Sequence, residues 1–476
     1  SSRQILTQKD HHKDPNMRNV ILLSIGFGLC FFGTNAFMNF AVPILGDLGS
    51  ICMAIVNYVN AFSNFLVPSV IAFFGSPQRA LFWCGFSYLI YVGEFAYIIP
   101  VTSYFICALH GFLSAVVWAS QGIILGNNSN DSDRGRKSGL FLAVYMLGSA
   151  IGNFVSGILV DKLHISGHVQ NGWNGTVSIL FLFLALIAVT SVIPYSLIRP
   201  PVPYLTLSET GLNSDEIKKE NQQEVVVIAE DKASSHADES VPYTTEDTTE
   251  IAECPPNQPT EVKEKQSVFE EIKQVLLLAL HPRMLLLLCF FFNDGYQQVF
   301  LTSQFTRQLV DLSSVGTLMG IFSIADVIFA NIHGYLCDKF GHVSVLTLAT
   351  AGELIGFLLA WLANKEQNWL IYATGIVFAI ADGGFQTECL NLVNQFFIKE
   401  RTRANSVFRM LQCFGFAIAL TLTPLFISKG ASHSSPTQFL WEIICAAMLG
   451  VGGYIGCLVF LHKSKRSEER RVGKEC

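Results

Sequence analysis

Charge is what this sequence has least of. Of its 476 residues only 14% are charged, while 51% are hydrophobic; an ordinary soluble domain is about a quarter charged. So little charge cannot clothe a soluble surface of this size, and it points to a protein built into a bilayer. Basic excess is missing too: 31 Lys and Arg stand against 37 Asp and Glu, which speaks against nucleic acid as a partner. No phosphate-cradling glycine loop, nucleophile elbow or local spacing of metal ligands occurs, so neither an enzyme, a cofactor nor a metal is expected. The 12 Cys do not form a disulfide framework. Cys30, Cys52, Cys84, Cys107, Cys289, Cys337, Cys389, Cys413, Cys445 and Cys457 lie inside apolar runs at irregular spacing and read as small apolar fillers. No cleavable signal peptide precedes the first apolar run, which is expected to act as the insertion signal.

Long apolar runs are what the chain has in abundance. A spanning helix takes about 20 mostly apolar residues. Twelve such runs occur, near 20–44, 50–74, 79–100, 101–126, 139–161, 176–198, 282–306, 314–337, 343–364, 368–397, 404–428 and 436–461. The expectation is an all-α membrane protein of twelve transmembrane helices. Lys and Arg are retained on the cytoplasmic side. With the N-terminus inside, the inner segments hold Arg3, Lys9, Lys13 and Arg18; Arg79; Arg134, Arg136 and Lys137; Lys339; and Lys399, Arg401 and Arg403. The outer loops hold about one cation each, such as Lys162, Arg307, Lys365 and Lys429. Both termini are therefore expected in the cytoplasm, in a plasma or endolysosomal membrane. The expected divisions are a cytoplasmic segment 1–19, a six-helix bundle 20–198, an acidic linker 199–274, a second bundle 275–461 and a basic tail 462–476. The linker is rich in Glu, Asp, Ser, Thr and Pro, too polar to build a core, and is read as disordered. The closing SEERRVGKEC is set aside as a candidate cloning or library scar. Of the sequons at Asn127, Asn130 and Asn174, only Asn174 falls outside in this topology, so it is the expected glycosylation site.

The two bundles look like copies. Shifting the chain by 267 positions (401 − 134) aligns Arg134, Arg136, Phe141, Gly148, Ala150 and Ile151 with Arg401, Arg403, Phe408, Gly415, Ala417 and Ile418. A parallel repeat of this kind is the architecture of major facilitator proteins, two pseudo-symmetric six-helix bundles with sites between them near mid-membrane. GYLCDKFGH, Gly334 to His342, resembles the facilitator signature of the loop after a half's second helix. There Gly334, Asp338, Lys339 and Gly341 are expected to meet the eleventh helix and its Arg401 and Arg403, latching the cytoplasmic side. The first half offers only FFGSPQRAL, without the Asp, so any latch is one-sided.

Charges within spans cost at least about 2.5 kcal/mol each on insertion scales and demand a partner or a water-filled cavity. Glu94, Asp294, Asp326, Glu353, Asp382, Glu388, Arg409 and Glu442, with His110 and His333, are placed in this way. At 100° per residue, His110, Ser114, Trp118 and Gln121 share an arc of roughly 80°, either lining a central cavity or tying helices together. In span ten, Asp382 and Gln386 share one face, whereas Glu388, Asn391 and Gln395 lie on nearly the opposite one. Glu388 lies about 16 Å and Arg409 about 9 Å into the membrane at 1.5 Å per residue, so the two are expected to pair. Asp382 and Asp294 are the expected cavity acids, with Gln386, Gln121, Trp118 and His110 as further substrate candidates.

GFLSAVVWASQGIILGNNS, MAIVNYVNAFSNFLVPSVIAFFG, ADGGFQT and SVFRMLQ together resemble the uncoordinated-93-like family, also called ion channel regulatory proteins, within the major facilitator superfamily. The resemblance covers all twelve spans. It departs at Glu388, where the family tends to carry a neutral amide, and at Glu94, in a span usually apolar. Members are implied to be twelve-helix proteins, several serving as regulatory or trafficking partners of other membrane proteins, including potassium channels and Toll-like receptors. Two functions are thus expected. One is a secondary transporter moving an unknown small solute by alternating access, with a proton as candidate coupling ion. The other is a non-transporting partner of a channel or receptor.

Overall fold

Inside a bilayer no water satisfies the backbone, so each apolar run must close its own hydrogen bonds as a helix. In a computed structural model, which describes residues 14, 16–129, 133–165, 169, 171–202, 268–364, 366–422 and 435–475, they do. The first half comprises α1 (Met17–Leu45), α2 (Asp47–Ser63), α3 (Val67–Phe74), α4 (Pro77–Gly85), α5 (Ser87–Glu94), α6 (Pro100–Asn127), α7 (Arg134–Lys162), α8 (Thr176–Val189) and α9 (Val192–Ser196). The second comprises α10 (Val268–Ala279), α11 (Pro282–Val299), α12 (Leu312–Phe340), α13 (His342–Leu362), α14 (Asn368–Phe396), α15 (Arg401–Leu422) and α16 (Pro436–Glu475). A π-helical turn, Phe300–Phe305, carries α11 on to Leu309. Strands β1 (Tyr97–Ile98) and β2 (Gly172–Trp173) pair antiparallel between the ends of α5 and α8.

The expected count of twelve spans is not confirmed. Among the described residues ten helices are long and apolar enough to cross a membrane, and α2 with α3, bent by 80°, makes an eleventh. The expected third span is divided into α4 and α5, each too short to cross alone. Glu94 is consequently no mid-span charge. It ends α5 and accepts hydrogen bonds from Thr102 Oγ1 (2.6 Å) and Ser103 Oγ (3.1 Å) in the first turn of α6. The helix α10 begins within the expected linker; residues 203–267 of that linker, residues 1–13 and the sequon residue Asn130 lie outside the described residues.

Helices without a hydrophobic drive between them associate through small residues and polar glue. In the first half α1 crosses α7 so closely that a Cβ on Gly148 would strike the backbone of Gly28. Across the same crossing Asn35 Nδ2 donates to Ser149 Oγ (2.6 Å) and Asn39 Nδ2 to Asn153 Oδ1 (2.9 Å). In the second half α11 crosses α15 in the same manner, with Gly295 against the Gln412 backbone and Gly415 against that of Phe292. Gly28 and Gly295, like Gly148 and Gly415, are 267 positions apart, so the repeat extends to the helix crossing itself. The halves meet where α7 packs on α12, with Gly157 against Gly316, and where α2 packs on α15. Asp47 and Arg307 form an ion pair at 3.2 Å and Thr421 reaches the Tyr58 hydroxyl at 3.4 Å, at the end remote from the starts of α7 and α15.

Lys137, expected among the cations on the cytoplasmic side, is buried. Its side chain is 0% exposed, pairs with Asp133 at 2.8 Å and donates to the Asn128 carbonyl at 2.7 Å. Asn128 in turn accepts from Asn19 Nδ2 at 2.8 Å. This cation thereby ties the ends of α1, α6 and α7 together.

Candidate functional site

The polar side chains of α11, α14 and α15 meet in one buried layer. On α14, Asp382 and Gln386 stand one turn apart, and Gln386 Nε2 donates to Asp382 Oδ2 at 2.7 Å. Gln297 of α11 donates to the other oxygen at 2.5 Å. Three residues earlier on the same helix face, Asp294 accepts from Gln412 Nε2 of α15 at 2.7 Å, and Gln412 Oε1 accepts from Arg409 Nη1 at 2.8 Å. Asp294, Asp382 and Gln412 are buried. Among the described residues, Oδ1 of Asp294 and Oδ1 of Asp326, on α12, are buried without a hydrogen-bond partner. Asp294 lies within Coulomb range of Asp382 and Arg409, and the Tyr145 hydroxyl of α7 within that of Asp326, Arg409 and Asp382.

Arg409 joins this layer to the first half. It is exposed although it sits inside a helix, and its guanidinium lies 5.9 Å from the Trp118 ring centroid and 5.0 Å from that of Phe408. Trp118 belongs to α6, so the open side of Arg409 faces between the halves. A cation over an indole face is held by the ring quadrupole. Behind Trp118 stands an aromatic wall of Phe27, Phe31 and Tyr145.

Several expected arrangements differ. Glu388 and Arg409 do not pair: Glu388 Oε2 is bonded to His342 Nδ1 at 2.8 Å, while Arg409 turns to Gln412 and Trp118. Depth along a helix does not fix azimuth around it; Glu388 occupies the face of α14 away from Asp382. The stripe on span four is also divided. His110 stacks on Tyr91 (4.1 Å, 4°), contacts Ser87 Oγ at 3.2 Å and is packed inside the first half. Ser114 accepts from Asn60 Nδ2 at 2.8 Å, and Asn60 Oδ1 accepts from Cys413 of α15 at 3.4 Å. Gln121 is buried, and only Trp118 of the stripe reaches the layer.

Among the described residues the signature residues are not brought together as a latch. Asp338 and Lys339 are exposed, and the ammonium of Lys339 lies over Tyr335 and Phe340. Asp338 has no ion pair among the described residues; Arg403 is half-buried, and the Arg401 side chain lies outside them. The physical reason is helical phase: Cys337 takes the inward position, which turns its neighbour Asp338 outward. Gly334 is half-buried, and Gly341, at φ +79°, separates α12 from α13. Asn174 is half-buried at the head of α8, its Nδ2 donating to the Gly172 carbonyl at 3.0 Å.

Gln297, Gln412 and the Asn293–Glu353 hydrogen bond (2.9 Å) were not anticipated as site residues. The signal for two of them was present. Gln297 falls three residues after Asp294 and Gln412 three after Arg409, the spacing that puts side chains on one helix face.

With this geometry in place, comparison with known proteins decides the family. The model described as ion channel regulatory protein UNC-93 matches residues 44–430. The chain belongs to that family. It is 22% identical over 480 residues to the UNC93-like protein MFSD11 of Xenopus laevis, covering 92% of this chain and 94% of the relative. Among solved structures it resembles a variant of the nucleoside transporter NupG (TM-score 0.60, 10% identity, 92% of this chain and 99% of that one). It also resembles the peptide transporter POT in complex with sulfate (TM-score 0.60, 13% identity, 97% and 96%). The UNC-93 chain described here is therefore a multi-pass membrane protein with the major facilitator fold of two pseudo-symmetric bundles.

Proposed function

We propose that this UNC-93 family member is a secondary transporter that moves a small solute by alternating access, with a proton as coupling ion. The observation that carries the reading is Arg409. It is an exposed cation in the interior of α15, stacked on Trp118 of the opposite half and linked through Gln412 to buried Asp294. Such a group has its open face where two rocking bundles would hold a solute. Carboxylates in the layer outnumber the one guanidinium, and a proton is the smallest positive partner able to make up the difference. Intramembrane acids gathered in this way mark ion and proton pathways. The solved neighbours, described as nucleoside and peptide transporters, support the reading. The loop charges support an orientation with both termini and the starts of α7 and α15 in the cytoplasm.

Purified protein in liposomes, offered a panel of solutes under a pH gradient, tests this against a regulatory role. The wild type is expected to take up at least one solute in a gradient-dependent manner. Asp382→Asn is expected to lower that uptake at least about tenfold while keeping the wild-type elution profile, since it removes the acid that Gln297 and Gln386 hold. Folded protein that moves no solute, yet co-purifies with another membrane protein, would favour the regulatory partner instead.

A further inference from the structure

The face of α14 opposite Asp382 carries a second cluster. It stands independently of the transport reading. Cys337 at the end of α12, His342 at the start of α13 and Glu388 of α14 present Sγ, an imidazole nitrogen and a carboxylate oxygen, all within 4.8 Å of one another. Two features of the backbone bring them together. Gly341, with φ +79°, takes a conformation that a side chain would strain. It turns the chain between α12 and α13, so that His342 comes back over Cys337, whose carbonyl accepts from the Gly341 N–H at 2.8 Å.

The hydrogen bonds define what the cluster presents. His342 Nε2 donates to Gln395 Oε1 at 2.9 Å, an atom that can only accept. Nδ1 lies 2.8 Å from Glu388 Oε2 and 3.5 Å from Cys337 Sγ, so a proton on Nδ1, or a cation in its place, joins imidazole to carboxylate. Imidazole, carboxylate and thiol thus converge on one point. Glu388 is 0% exposed, and among the described residues its second oxygen has no hydrogen-bond partner and its one ion pair, with His342, holds charge only when that imidazole is protonated.

We propose that Cys337, His342 and Glu388 bind a divalent transition-metal ion of the zinc type. Thiolate, imidazole and carboxylate form a donor set that suits zinc and is foreign to magnesium or calcium. Bond lengths of about 2.3 Å to sulfur and about 2.0 Å to nitrogen make the S···N edge of a tetrahedral site roughly 3.5 Å, which is the separation found here. The N···O edge needs roughly 3.3 Å, so Glu388 has to withdraw by about half an ångström. Around the ligands, Gln395 orients the imidazole through Nε2, and Asn391 Nδ2 donates to the sulfur at 3.5 Å. Such outer partners fix ring orientation and ligand basicity. The His342 side chain is 17% exposed and Gln395 is exposed, which leaves a route for the ion and room for a water as fourth ligand. Bound there, the ion would pin the ends of α12, α13 and α14 to one another.

The test uses the full chain, purified through a tag without histidine, stripped with chelator, reloaded with zinc or cobalt and desalted. Expected are about one equivalent of metal per chain, a thiolate-to-cobalt charge-transfer band, and a rise in the thermal midpoint on adding zinc. Cys337→Ser and Glu388→Gln should each weaken zinc binding at least about tenfold and abolish that rise, and Gln395→Ala should weaken it about tenfold, in keeping with outer-shell losses. Cys413→Ser should change none of these. Should the ligand variants not fold, the cobalt spectrum of the wild type decides alone, its thiolate band supporting the site and its absence overturning it. No metal retained above the buffer blank, or equal metal in wild type and ligand variants, would overturn it too, leaving a proton between His342 and Glu388.

Discussion

Phe27 and Tyr145 of the first half occupy the places that Asp294 and Gln412 take in the second, each pair separated by the same 267 positions. In the first half the two rings meet edge to face at 6.5 Å. In the second the same crossing carries a 2.7 Å hydrogen bond from amide to carboxylate. Cys30 and Ala115 likewise stand where Gln297 and Asp382 stand. Glycines of one crossing are shared while its chemistry is not: one half presents a dry aromatic wall, and the other holds the acids and the cation. A duplicated scaffold can keep its packing code and place nearly all its polar function on one side.

The shared part of the comparison predicts the largest losses. Gly148→Leu and Gly415→Leu drive a side chain into facing backbone, which cannot rotate away. Each is expected to cost at least about 3 kcal/mol, the upper end for overpacking, and to remove most folded protein in fluorescence-detected gel filtration. Wild-type yield from either variant would break the equivalence of the two crossings. A smaller loss is expected where the halves differ. Lys137 is buried on Asp133 and the Asn128 carbonyl, whereas its counterpart 267 positions on is Ala404. Lys137→Met should lower stability by about 3 kcal/mol, the scale for stripping one partner from a buried pair. Exposed Arg136→Met should leave the thermal midpoint within error, and equal midpoints for the two would deny Lys137 its structural role. Least affected should be Asn39→Ala, which removes a single interhelical hydrogen bond worth about 0.6 kcal/mol on average within a membrane. A shift too small to resolve next to Gly148→Leu is the expected reading in thermal denaturation.

How much of this was legible beforehand follows from what a periodic pattern encodes. Hydrophobic run length is a local property, so most spans and the repeat could be read directly, and helical phase placed Asp382 with Gln386 and Glu388 with Asn391 and Gln395. Depth could be counted as well. Azimuth relative to another helix could not, and for that reason Glu388 was paired with Arg409 when its partner is His342. The division of the third expected span at Phe86 leaves no proline or charge to announce it. Lys137 looked like its neighbours because its burial depends on the carbonyl of Asn128, at the end of the preceding helix, which residue type and spacing do not announce. The match of Gly28 to Gly295 was visible at the repeat offset, but its meaning as a crossing point required both helices in place.

The most direct measurement converts the second half to the pattern of the first. In Asp294→Phe with Gln412→Tyr, an edge-to-face aromatic pair replaces the hydrogen bond and strands Arg409 without its amide partner. Reconstituted in liposomes beside the wild type, this double variant is expected to keep a monodisperse elution profile and to lose gradient-driven solute uptake at least about a hundredfold. Uptake at the wild-type rate from the folded double variant would contradict the assignment of transport chemistry to the second half.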